Sequence, residues 1–92
     1  MLKRSFSLGQ VVATPGALGL LAETGCTAES LLQRHTCGDW GDLDPEDWQA
    51  NDAALAHDDG RLFSSYKIGN EKLWIITESD RACTTILRPQ DY

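Results

Sequence analysis

No stretch of this 92-residue chain approaches the roughly 18 consecutive apolar residues of a transmembrane helix. Lys3 and Arg4 do precede a fairly apolar stretch, but Gln10, Thr14 and Pro15 interrupt it. Glu23 also stands where a leader-peptide cleavage site wants small residues, so a cytoplasmic location is the expectation. Cysteine is scarce. Cys26, Cys37 and Cys83 form an odd set without a C-x-x-C pair, which argues against a disulfide framework and against a zinc site. Clustered basic residues are missing as well: the eight Lys and Arg are scattered and the net charge is −6. Phosphate backbones and anionic membranes need such clusters, so direct nucleic-acid binding and membrane binding are not expected. A positively charged partner protein would instead be attracted, mainly through a faster association rate. No internal repeat or low-complexity tract breaks the chain.

What is present has ordinary globular proportions, 41% hydrophobic and 24% charged residues. This length suits one domain, residues 1–92, burying roughly 60–65% of its unfolded surface. That gives one core and no room for a deep enclosed cavity.

Thr14-Pro15 is a helix start, since threonine can cap and proline fits the first helical position. The helix runs through Leu18, Leu21 and Ala22 and stops at Gly25. Thr27 begins a second helix, in which Ala28, Leu31, Leu32 and His35 share an inner face. Residues 36–43 hold two glycines and no period, and form a loop. Asp44-Pro45 repeats the start signal for a third helix over 45–57, with Trp48, Ala54 and Leu55 marking its buried stripe. The period then changes to that of strands at 61–68, 72–78 and 82–87, separated by turns at Gly69-Asn70 and Glu78–Arg81. A further short strand falls near 9–13. The fold class is therefore α+β: three short helices packed on an antiparallel meander of three strands, or four with the N-terminal one. In the central strand, Trp74 and Ile76 should face one side, and Leu73 and Ile75 the other.

Between Arg34 and Arg61 there is no Lys or Arg, yet eight of the fourteen acids lie there: Asp39, Asp42, Asp44, Glu46, Asp47, Asp52, Asp58 and Asp59. Part of this is local chemistry. Asp44 is expected to cap the third helix, Glu46 and Asp47 suit its positive end, and Asp58-Asp59-Gly60 suits a turn. The functional reading is a negative surface that meets a basic groove on a partner protein, such as one that normally holds nucleic acid. A calcium loop would need a glutamate at its twelfth position, and Leu43, Pro45, Asn51 and Asp52 spoil that pattern. No metal or cofactor is expected. Trp40, between Gly38 and Gly41, is either tucked onto the core or presented as an anchor. The candidate partner-binding set is Asp39, Trp40, Asp42, Asp47, Asp52, Asp58 and Asp59. Catalysis has thinner support. Cys37 lies near His35, and Ser64, Ser65 and His57 lie elsewhere, but no G-x-S-x-G or comparable motif accompanies them.

Over Gly38–Trp48 (GDWGDLDPEDW), Leu73–Tyr92 (LWIITESDRACTTILRPQDY) and Val12–Leu18 (VATPGAL), the sequence resembles a family of short uncharacterised bacterial proteins of plasmids, integrative elements and prophages. The family has no assigned catalytic residues. The resemblance implies a mobile-DNA context, in which small acidic proteins inhibit host defence, as anti-restriction and anti-CRISPR proteins do. The expectation that follows is a non-enzymatic interaction protein working through its acidic surface. Two alternatives stand beside it. One is a small enzyme or ligand-binding domain using His35, Asp39 and Asp42. The other is a regulatory subunit that oligomerises with itself through the meander edge, the oligomeric state being open.

Overall fold

A computed structural model describes residues 6–92, so Lys3 and Arg4 lie outside the described residues. Strand β1 (Gln10–Ala13) leads through Thr14 into helix α1 (Pro15–Thr24). The Thr14 hydroxyl accepts the Ala17 N–H at 3.1 Å, and Gly25 closes the helix at φ 73°, the left-handed conformation that glycine adopts without strain. Thr27 caps helix α2 (Ala28–Thr36) in the same way, accepting the Ser30 N–H at 3.2 Å. Helix α3 (Pro45–His57) departs from expectation at its start. Asp44 has the extended backbone of a capping residue, yet its carboxylate makes no capping hydrogen bond. Pro45 has already removed one of the donors, and the exposed turn can be hydrated.

Strands β2 (Leu62–Ile68), β3 (Glu71–Thr77) and β4 (Cys83–Leu87) form the expected antiparallel meander. The fourth strand is present, and the sheet order is β1-β4-β3-β2. It joins β4 in parallel, pairing Val11 with Thr84 and Ala13 with Ile86, so the sheet is mixed rather than wholly antiparallel. Local turn chemistry governs hairpin neighbours. It has no hold on two strands separated by the helical layer and two other strands.

One face of the sheet carries the core. Leu73 and Ile75 on β3, Tyr66 and Ile68 on β2 and Ile86 on β4 pack against Ala17, Leu20 and Leu21 of α1 and Leu31 of α2. Each large side chain buried there contributes about 1.5–3 kcal/mol. Trp74, Ile76 and Phe63 take the other face, as the period of two requires. The expected stripe on α3 is only half-buried at Trp48 and Leu55, and the fully buried residue of that helix is Asn51.

Asn51 explains how α3 is attached. Its Nδ2 donates to the Phe63 carbonyl at 2.7 Å, and its Oδ1 accepts the Phe63 N–H at 3.0 Å. Two residues along β2, the Ser65 N–H donates to the Trp40 carbonyl at 3.0 Å, and the Ser65 carbonyl accepts the Asp42 N–H at 2.6 Å. The outward groups of β2 at these positions, which would otherwise invite another strand, are thus taken by the chain itself. Gly41, at φ 79°, makes the approach possible, since a Cβ there would collide with the Ser65 carbonyl. Self-association through the meander edge meets this closure at β2, and β1 occupies the meander's other edge at β4. At the end of the chain, Arg88 pairs with Asp91 at 2.8 Å and the Thr14 hydroxyl donates to Asp91 at 2.7 Å. The turn Pro89–Asp91 is thereby tied to the start of α1.

Candidate functional site

His35, on the inner face of α2, lies on a line of hydrogen bonds through the centre of the molecule. The Thr84 hydroxyl donates to the Leu8 carbonyl at 2.7 Å. With its proton committed there, Thr84 accepts from the Thr77 hydroxyl at 2.8 Å, and Thr77 in turn accepts from His35 Nε2–H at 3.0 Å. His35 Nδ1 is left as acceptor for the Ser64 hydroxyl at 2.5 Å. His35, Ser64, Thr77 and Thr84 are each 0% exposed. Desolvation lowers the His35 pKa to about 4, so the ring is neutral at pH 7.

A serine against a histidine is the geometry of an activated nucleophile, but no substrate atom can reach this one. The suggested site of His35, Asp39 and Asp42 is not assembled either. The Asp39 carboxylate accepts from Arg34 Nε at 2.7 Å and from the Gly41 N–H at 3.3 Å, while Asp42 points to solvent. Cys37 is exposed, whereas His35 turns inward to Ser64 and Thr77. All three cysteines are free thiols. Among the described residues no three His, Cys, Asp or Glu side chains gather as metal ligands would.

Trp40 corrects the surface-anchor reading. It is 0% exposed, stacked on Phe6 at 6.4 Å between ring centroids and edge-on to His35 at 5.5 Å. Its indole N–H donates to the Asp52 carboxylate at 3.0 Å. Leaving so large a ring in water is costly, and the inward bend at Gly41 places it under α3. Asp52 stays exposed at the surface, with one carboxylate oxygen held by Trp40. Trp48 braces the same loop, donating to the Gly41 carbonyl at 3.1 Å.

The other candidates remain at the surface. Asp58 sits at the left-handed end of α3 (φ 53°), 3.8 Å from the largely buried Arg81, whose guanidinium also donates to the Gly60 carbonyl at 2.7 Å. Among the described residues, Asp42, Asp44, Glu46, Asp47, Asp52 and Asp59 have no ion-pair partner, and all six are exposed. They border α3 and the loops on either side of it. The acidic run of the sequence is therefore an acidic platform in space, fixed to β2 by Asn51 and to the core by Trp40.

A second surface had no clear signal in the sequence. On the outer face of the sheet, Arg61, Phe63, Trp74, Ile76 and Tyr92 line an open recess of about 240 Å³. Trp74 lies edge-on between Phe63 (5.1 Å) and Tyr92 (6.0 Å). Strand alternation pointed to Trp74 and Ile76 sharing this face, but the return of Tyr92 over it depends on the C-terminal turn. A broader depression runs along α2 past Leu8, Thr27 and Leu32, and Glu29 is the charged group among the described residues that line it.

Comparison with protein-family models, with curated proteins and with solved structures yields no match.

Proposed function

We propose that this chain is a non-enzymatic protein-interaction module whose acidic platform docks on a basic groove of a partner protein. One observation carries the reading: six exposed carboxylates, without ion-pair partners among the described residues, surround a helix that is attached to the sheet by paired hydrogen bonds. A fixed arrangement of like charges is unfavourable in isolation and is relieved by an oppositely charged surface, which it also attracts over a distance of about 8–10 Å. The chemistry-bearing groups that could compete with this reading, His35 and Ser64, are sealed in the core. The resemblance to proteins of mobile elements suggests the class of partner: a host-defence nuclease or nucleic-acid-guided complex, whose nucleic-acid groove is basic.

The test is kinetic. The chain is immobilised, and candidate host nuclease complexes are passed over it across a range of salt concentrations, with and without competing duplex DNA. Association should slow markedly with salt while dissociation changes less, and DNA should compete. The variant Asp42→Asn/Asp47→Asn/Asp59→Asn should reproduce the slowing at low salt. Asp52 is left intact because Trp40 depends on it. Wild-type association by the triple variant at every salt concentration refutes the proposal.

A further inference from the structure

The described cations are distributed in a telling way. Arg34, Arg61, Arg81 and Arg88 each have a carboxylate partner, whereas Lys67 and Lys72 have none among the described residues. These two lysines are directly opposite each other in the β2–β3 register. Like charges in that relation repel, and no ion pair among the described residues offsets this. They share the outer face with the recess. The pairs Phe63–Ile76, Ser65–Trp74 and Lys67–Lys72 follow one another along the two strands, about 7 Å apart at two residues per step. An aromatic hollow and an uncompensated pair of cations thus adjoin on one surface.

We infer that this face binds an acidic peptide segment carrying one bulky apolar side chain. The side chain fills the hollow between Phe63, Trp74, Ile76 and Tyr92, and carboxylates two or three residues away reach Lys67 and Lys72. The size of the hollow selects the occupant. At about 240 Å³ it falls below the roughly 300–1,000 Å³ of small-molecule sites, and it suits a single side chain. The spacing selects the reach, since an extended peptide advances about 3.4 Å per residue. Arg61 is held by Glu78 at 3.2 Å, so the anion-binding end is the lysine end. A nucleic acid would share the aromatic and cationic contacts, but two lysines fall short of the clustered Lys and Arg that a phosphate backbone needs. The acidic platform of a second copy supplies the carboxylates without the anchor. Among the described residues the exposed large apolar ones are Val11, Val12, Leu18 and Tyr92, none of them on α3.

The probes are synthetic peptides of seven residues, each with a central leucine or tryptophan and two glutamates placed two and three positions from it. Binding to the full chain is followed by NMR chemical shifts. Shifts should concentrate on Phe63, Trp74, Ile76, Tyr92, Lys67 and Lys72. Replacing the glutamates with glutamines, or the anchor with alanine, should weaken binding at least about fivefold. Lys67→Glu/Lys72→Glu should lose the acidic peptide and gain the version bearing lysines. Tyr92→Ala, at a residue 73% exposed, weakens binding without threatening the fold. The triple variant of the acidic platform should bind the peptide no more weakly than wild type, which separates this inference from the proposed function. Three results overturn it: no saturable shifts at millimolar peptide, affinity indifferent to the lysine reversal, or tighter binding of a single-stranded oligothymidylate than of any peptide.

Discussion

Along β2 the outward backbone groups of Phe63 and Ser65 are occupied by Asn51 and by the Trp40–Asp42 loop, while at the opposite edge β1 leaves Val11 and Val12 exposed at 42% and 39%. The two edges are protected by different means. β1 is only four residues long, and shortness itself limits what can pair with it. β2 has seven residues and is covered by a helix, a buried tryptophan and an asparagine that imitates a neighbouring strand. The covered edge also supports the acidic platform, so its contacts should carry far more of the stability than those of the open edge.

The largest effect is expected at Trp40. Trp40→Ala removes a fully buried ring, uncouples Asp52 and loosens the loop that lies along β2. Denaturant unfolding should show a loss of about 3–5 kcal/mol. A loss below about 1 kcal/mol would show that the loop is not an integral part of the sheet, and the contrast between the edges would fail.

Next comes a pH effect rooted beneath the covered edge, where Ser64 of β2 holds His35. The histidine pKa is about 4 in the folded chain against an ordinary 6.5, so between those values the unfolded chain binds a proton that the folded one refuses. Stability from this group is complete above pH 6.5 and declines as pH falls toward 4, by at most about 3 kcal/mol. His35→Gln should lower stability at neutral pH and flatten this part of the profile. An unchanged slope in that variant would assign the acid sensitivity to other groups.

The smallest effects are best measured as a pair. Asn51→Ala strips the partners from the Phe63 N–H and carbonyl and should cost about 1–3 kcal/mol. Val12→Thr, nearly isosteric and on the open edge, should stay within about 0.5 kcal/mol. Equal costs at the two positions would erase the distinction between the edges.

Local signals in the sequence specified the elements closely. Thr14-Pro15 and Thr27 carry their own capping chemistry, Gly25 its own left-handed stop, and the alternation through Leu73, Trp74, Ile75 and Ile76 its own two faces. These interactions span four residues or fewer, so neighbours in the chain suffice to define them. The acidic run was legible as composition, and its exposure followed from the cost of burying unpaired charge. Asp44 shows the limit of such reasoning, because a capping residue type in a capping position still leaves its carboxylate unused.

Other features depended on partners far apart in the chain. His35 finds Ser64 and Thr77 29 and 42 residues away, Asn51 meets β2 12 residues on, and β1 lies parallel to a strand more than 70 residues later. No local pattern encodes such pairings, which arise when the helical layer closes over the sheet and buried polar groups must satisfy one another. The sequence alone thus determined the α+β class, the order and placement of the helices and strands and the negative charge near α3, because each rests on short-range sterics, periodicity or solvation. Tertiary structure alone decided that Trp40 is core, that His35 is sealed from solvent, and that Lys67, Lys72 and an aromatic hollow share one face, because burial and adjacency are properties of the packed chain.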